Sequence, residues 1–246
     1  MNDIKYKSKK SSLARVKITW LGHSAFLLES SGGKKVLIDP WLDNPNAPPD
    51  AKELPPVDLI LVTHGHSDHL GNTVELAKNS NVKVVGIFEV YLYLQSNGVS
   101  SALGMNKGGT ADVDGIRVTM VDAVHSSDIG ADGNVVPGGE AAGFVVRFGD
   151  GRAVYHAGDT ALFGDMKYVA ALYKPEIALL PIGGFYTMGP REAAKACELL
   201  NPKHIIGMHY GTFPVLSGTP GELKRHLPSR MKKKVKELEP GRTIEI

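Results

Sequence analysis

The chain has 246 residues, with 28 Lys+Arg against 26 Asp+Glu, a formal balance of +2 at pH 7. That near-neutrality excludes a global electrostatic drive toward nucleic acid or an anionic membrane, and 42% hydrophobic with 22% charged residues excludes general disorder. A single cysteine, Cys197, excludes an intrachain disulfide framework and a cysteine-rich zinc site.

Residues 1–14 are polar and basic, with no apolar partners, and read as a flexible arm. No apolar h-region follows them and no apolar run approaches the ~20 residues of a membrane span, so a cytoplasmic protein is expected. From Val16 the pattern becomes short strands, VKITW, AFLLE and KKVLIDP, separated by turns at Gly22 and Ser31-Gly32-Gly33. Pro45, Pro48, Pro49, Pro55 and Pro56 crowd one loop, placed here as a rim over a site. VDLILVT is a continuous apolar run, the signature of a buried strand. THGHSDHLG follows it directly, then a helical TVELAKN, a strand VKVVGI, a helical EVYLYLQSN and a strand GIRVTMVDAVH.

The second half repeats this style. GFVVRFGD and RAVYHAGDT read as a hairpin closed by Gly149-Asp150-Gly151. ALFGDMKYVAALY is expected as a helix and EIALLPI as another buried strand. PREAAKACELL has Pro190 in its first turn, an apolar face of Ala193, Ala196, Cys197 and Leu200, and Asn201-Pro202 as its stop. Core packing is the expected role of Cys197. KHIIGMHY is expected to return as a strand, and the basic KRHLPSRMKKKVK reads most simply as a solvated helix or strand face. Strands alternating with helices in both halves predict sheets covered by helices, with residues 15–246 forming one domain.

His64, His66, Asp68 and His69 put four ligand-type groups within six residues at the carboxyl end of a buried strand. Imidazoles two apart in extended chain face the same side, and His69 swings back as the chain turns into a helix. Neutral imidazole and carboxylate suit zinc and similar divalent ions. His125, Asp159 and His209 each end an apolar strand before a small or polar turn, where the loops of layered folds collect their functional groups.

VTHGHSDHLG, His125, HAGDT and MHYGT, in this order, resemble the metallo-β-lactamase superfamily. With LGHSAFLL, IDP and LLPIGG added, the chain is similar to its uncharacterised metal-dependent hydrolases, near the ascorbate-6-phosphate lactonase branch. The resemblance runs from Val16 to the C-terminus. It implies an αββα sandwich, two β-sheets face to face with helices outside, and a binuclear metal centre at one sheet edge. It assigns His64, His66 and His125 to one ion, Asp68, His69 and His209 to a second, and Asp159 as a bridge. Seven ligands for two ions leave open positions, as in a catalytic site, and the implied nucleophile is a hydroxide between the ions, acting on an ester-like bond. No cysteine stands at a ligand position, which argues against antibiotic hydrolysis as the main activity.

The expected cofactors are two divalent ions, zinc first, with manganese, iron and nickel also accepted by such ligands. The expected partner is a small-molecule substrate, a phosphodiester, phosphorylated lactone or simple lactone. Nucleic acid is disfavoured and self-assembly is left open. The alternatives are a nuclease of the same fold and a non-catalytic metal- or ligand-binding protein. Asp68 is expected to act in catalysis as well as ligation. Asp39 is placed behind a ligand imidazole. His23, His156, Tyr210 and Thr212 are placed as site-lining or supporting groups.

Overall fold

Val16–Trp20 (β1) buries Val16, Ile18 and Trp20 and turns Lys17 and Thr19 outward, the period-2 alternation of a half-covered strand. In the computed structural model, which describes residues 15–130 and 134–246, β1 lies in a seven-stranded sheet. The arm expected over residues 1–14 lies outside the described residues. β1, Phe26–Ser30 (β2) and Lys35–Ile38 (β3) form an antiparallel meander. Leu59–Leu61 (β4), Lys83–Ile87 (β5) and Ala102–Met105 (β6) then add in parallel. The last strand of the chain, Thr243–Glu245 (β16), pairs antiparallel with β1 and closes the far edge. Ser67–Leu70 (α1), Thr73–Ser80 (α2) and Phe88–Ser96 (α3) belong to this half, with α2 packing on β5 and α3 on β5 and β6.

The second sheet also has seven strands. Thr110–Val113 (β7), Ile116–Asp122 (β8), Ala142–Arg147 (β11) and Ala153–His156 (β12) run antiparallel in that neighbour order. Ile177–Pro181 (β13), His204–Met208 (β14) and Val235–Lys236 (β15) continue in parallel. A two-stranded ribbon, Asp128–Ile129 (β9) with Val136–Pro137 (β10), stands apart. Met166–Tyr173 (α4), Pro190–Leu200 (α5), Pro220–His226 (α6) and Ser229–Lys232 (α7) complete the chain.

The alternation in β13 shows how the layers stack. Ile177 and Leu179 join a core shared with Phe26, Leu28, Val36 and Ile38 of the first sheet, whereas Ala178 and Leu180 face a second core with Ala193, Ala196 and Cys197 of α5. The two sheets therefore pack on each other and each carries helices outside, the four-layer αββα sandwich expected from the sequence. α5 starts with Pro190 at its first turn and ends at Asn201 in left-handed conformation. Cys197 is buried there, and burial pushes its thiol up to about 12, which suits packing rather than nucleophilic attack.

The helix expected over 161–173 begins only at Met166, so residues 161–165 form a loop. VDLILVT contributes three strand residues, not seven, because the chain leaves the sheet at Val62 to build the loop that holds the histidines. Among the described residues, no helix is long and apolar enough to cross a membrane.

Candidate metal centre

The chemistry-bearing residues collect at the carboxyl ends of strands from both sheets. His64, His66, Asp68 and His69 follow β4 and run into α1, and His209 directly follows β14. His125 and Asp159 do not end their strands as expected; each stands three residues beyond, after β8 and β12. Asp39 directly follows β3, and His23 sits in the turn between β1 and β2. His23, Asp39 and His209 have φ of 49°, 47° and 54°, a left-handed conformation that non-glycine residues adopt at a cost and that concentrates at functional sites.

Two glycines allow the loops to converge. A Cβ on Gly65, between the first two histidines, would lie 2.7 Å from the Asp128 carbonyl oxygen and 2.5 Å from Ile129 Cγ1. Gly158, at φ +63°, would place a Cβ 2.5 Å from the Ala142 carbonyl oxygen and 3.1 Å from Thr63 Cβ. Without a side chain, each lets a ligand-bearing loop lie directly on its neighbour.

The side chains form two groups linked by a third, His64, His69 and Asp159, whose ligand atoms also lie within 4.8 Å of one another. His64, His66 and His125 bring ligand atoms within 4.8 Å of one another, and so do His23, Asp68, His69 and His209. Asp159 lies between them: its Oδ2 is 2.9 Å from His209 Nε2, 3.3 Å from His69 Nε2 and 3.6 Å from His125 Nε2. The outer nitrogens of several imidazoles are held from behind. His69 Nδ1 meets Asp39 Oδ2 at 2.8 Å, His64 Nδ1 meets the Thr63 hydroxyl at 3.0 Å, and His66 Nε2 meets Asp128 Oδ1 at 2.8 Å. Asp39 also accepts from the Thr63 amide at 2.8 Å and the Thr63 hydroxyl at 2.7 Å. Such partners fix the ring orientation that ligation requires.

The electrostatics are those of a cation site. Burial pushes His64 well below the ordinary imidazole value, and the neighbouring His69 adds to the effect. His69 moves the other way: burial opposes its charge, but Asp159, Asp39 and Asp68 outweigh burial and raise it well above the ordinary value. Burial alone would raise Asp159, yet His209 and His69 hold it well below the usual carboxylate range. Three carboxylates, Asp39, Asp68 and Asp159, gather around the one buried His69 imidazole, a surrounding that suits a metal cation. Among the described residues, three of the seven buried side-chain polar atoms without a hydrogen bond lie here: His69 Nε2, Asp159 Oδ1 and His209 Nδ1. Orphaned donors of this kind, from imidazole and carboxylate with no thiolate, fit divalent zinc, manganese, iron or nickel.

The supporting residues separate into distinct positions. His23 is fully buried, with Nε2 3.0 Å from Asp68 Oδ2 and Nδ1 2.9 Å from the Thr212 hydroxyl. Its carbonyl oxygen accepts from the His209 amide at 3.0 Å, so it ties both ends of the second group together. Burial brings it down to about 4 despite the Asp68 hydrogen bond. His156 does not line the site: its ring is buried, Nε2 donates to the Ser24 carbonyl at 2.9 Å and Nδ1 accepts from the Gly158 amide at 3.1 Å. Tyr210 also turns away, stacking on Trp20 at 5.1 Å and lining a separate cleft with Pro220 and Glu237.

A cavity of about 470 Å³ opens over the groups, lined by His66, Asp68, His125, Asp159 and His209 together with Trp41, Tyr186, Phe213, Ser67 and Ser126. Its rim on the side of the proline-rich loop is Trp41, and none of the five prolines lines it. Sequence reading missed Trp41, Tyr186, Phe213, Thr63 and Asp128. Asp128 carried a usable signal, a carboxylate three residues after a candidate ligand, but the aromatic residues carried none, since an aromatic in a loop reads equally as packing.

Residues 34–210 match the family described as Beta-lactamase superfamily domain. A UPF0173 metal-dependent hydrolase of Methanosarcina barkeri is 52% identical over 94% of this chain and 99% of its own length. A second, from Methanopyrus kandleri, is 51% identical over 94% of this chain and 100% of its own length. Among solved structures, Igni18, a metallo hydrolase from Ignicoccus hospitalis, superposes with a TM-score of 0.84 at 38% identity, covering 94% of this chain and 98% of that one.

Proposed function

From the membership of this chain in the metal-dependent hydrolases of the β-lactamase superfamily, we propose that this metal-dependent hydrolase holds two divalent ions and cleaves an ester-like bond in a small molecule. The observation that carries this reading is the pair of ligand groups joined through Asp159, with three buried atoms there lacking any hydrogen bond. His64, His66 and His125 would hold one ion, Asp68, His69 and His209 the other, and Asp159 both. Bound there, the ions would polarise the scissile group and lower the pKa of water toward neutrality.

The chain's own residues do the rest. Asp39, Thr63 and Asp128 keep the imidazoles in one orientation. Asp68 lies on the cavity wall and accepts a hydrogen bond from His23. From that position it accepts a proton from the attacking water and passes it to the leaving oxygen. The balance is that of simple hydrolysis: the oxygen of water bonds the electrophilic centre, the bond to the leaving oxygen breaks, and that oxygen departs as a hydroxyl. Trp41, Tyr186 and Phe213 exclude bulk water beside the reacting bond.

Elemental analysis of metal-reconstituted protein, joined to a screen of lactones, carboxylic esters and phosphodiesters, tests the reading. Close to two ions per chain with metal-dependent turnover is expected. One ion or fewer across zinc, manganese, iron and nickel would overturn the two-ion arrangement, and no turnover on any ester class would overturn the reaction.

A further inference from the structure

The cavity over the proposed metal centre has a largely aromatic wall beside its candidate ligands. Beyond the candidate ligands its lining, among the described residues, consists of Trp41, Tyr186, Phe213, Ser67 and Ser126, with no Lys or Arg. Trp41 and Phe213 stack on each other at 5.9 Å, giving one flat apolar wall. Tyr186 is about half-exposed and meets Phe185 edge-on at 4.8 Å. Phe185 is 75% exposed and held at φ +59°, a conformation costly for an aromatic residue.

The loops around the mouth continue that character. Val124 precedes a candidate ligand, Leu162 stands three residues past Asp159, and Val215 two past Phe213; all three are exposed. These loops are bonded side by side: the Ala161 amide donates to the Val124 carbonyl at 3.0 Å and the Met188 amide to the Thr160 carbonyl at 3.1 Å. Large apolar side chains on neighbouring loops at a cavity mouth are the mark of a ligand-binding surface.

Charge points the same way. Asp39, Asp68, Asp128 and Asp159 surround the ligand groups. Four carboxylates balance two divalent ions, so no surplus positive field remains for a second anionic group. A remote phosphate on the substrate would normally meet an arginine or lysine, whereas among the described residues the wall beyond the candidate ligands offers aromatic faces and two serine hydroxyls.

Resting on the hydrolase reading above, we infer that the substrate is an uncharged ester or lactone whose apolar, preferably aromatic, substituent packs between Trp41–Phe213 and Tyr186, and that phosphorylated substrates are excluded. In a lactone the oxygen of water bonds the acyl carbon and the ring C–O bond breaks. The ring oxygen leaves as a hydroxyl carrying one proton of the water, the other proton being released with the carboxylate. Tyr186 is then a specificity-determining residue.

The test uses the metal-loaded full chain and two γ-lactones that differ only in the substituent, benzyl in one and a phosphorylated hydroxymethyl in the other. The benzyl lactone is expected to have a kcat/KM at least about tenfold higher, within the range that pocket contacts supply. Tyr186 is exposed enough to replace without unfolding. Tyr186→Ala should lower kcat/KM for the benzyl lactone several-fold and change that for the phosphorylated lactone less, and Tyr186→Arg should shift preference toward the phosphorylated lactone. A binding arm uses the corresponding benzyl cyclic ether, which cannot be hydrolysed, read by quenching of Trp41 fluorescence with Trp41→Phe as blank. Quenching by the benzyl ether and not by its phosphorylated analogue supports the inference even where neither lactone turns over, a result that would count against the ester reaction alone. A faster phosphorylated lactone, equal binding of the two ethers, or a Tyr186→Ala effect of the same size on both lactones overturns it.

Discussion

The Asp68 carboxylate stands half-buried between His23 and the cavity, with Oδ2 3.9 Å from His209 Nε2 and 4.0 Å from His69 Nε2. In the proposed mechanism, ligation and proton transfer would meet in this one group. Asp68→Asn keeps the size and one oxygen but loses the charge, and turnover at saturating metal should fall about 10²–10⁴-fold. A variant with full metal content and unchanged turnover would remove Asp68 from the chemistry. His23 acts on Asp68 from behind, so His23→Ala should loosen the second ion more than the first. Competition with a chromophoric chelator reads this directly, and equal affinities for both ions in variant and wild type would return His23 to a packing role. His156 is a different case, a core histidine whose two nitrogens serve backbone groups. His156→Asn should lower the melting temperature while the folded fraction keeps its specific activity; a metal-replete, fully folded but inactive variant would contradict that placement.

At the scale of elements, the approach of the loop after β12 to the loop after β4 depends on Gly158. Gly158→Ala forces a Cβ against the Ala142 carbonyl in a left-handed backbone, and the variant should lose about 1–3 kcal/mol of stability in urea unfolding. No change would mean that the loop relaxes freely. A second element-scale device lies far from the site, where Glu176 before β13 meets Lys203 and Arg152. Burial alone would raise the Glu176 carboxyl, but these partners hold it below its ordinary value. A depressed carboxyl contributes stability that is present above its unfolded-state pKa and lost as pH falls through the folded one. The destabilisation caused by Glu176→Gln should therefore be full at neutral pH and shrink below the ordinary glutamate range; a pH-independent difference would assign it to packing. Legibility in the sequence followed this scale. α3, α5 and the hairpin of β11 and β12 could be read because their periodicity and turn residues are local. β6, β7 and β16 could not, since short strands with mixed polarity are defined by the neighbour they pair with. Four candidate ligands could be read from the dense spacing of His64, His66, Asp68 and His69, and His125, Asp159 and His209 from their strand-end positions and the family resemblance, whereas Trp41, Tyr186 and Phe213 become a wall only when three distant loops meet.

For the molecule as a whole, ion binding should be visible as stability. A ligand that binds only the folded chain adds about 2.7 kcal/mol at a hundredfold excess over its Kd, and in a chain of this size each kcal/mol is worth roughly 2–4 °C. Chelator-treated protein should melt several degrees lower and recover on adding zinc or manganese. An unmoved melting temperature would mean that the site exists without a cation to organise it.

The pairing of β16 with β1 has a consequence in time rather than in space. Thr243–Glu245 is made long after the edge that it covers, Lys17–Thr19. During synthesis at about 5–20 residues per second, the first sheet waits with an unpaired strand while every strand of the second sheet is made. An open edge of that kind is a template for pairing with another nascent chain. The outward Lys17, which bonds Glu29 on β2, puts a charge on that waiting edge and makes such pairing less favourable. The candidate ligands obey the same clock: those after β4 are made before any strand of the second sheet and His209 only after β14, so most of the first sheet can form before the proposed ligand set is complete.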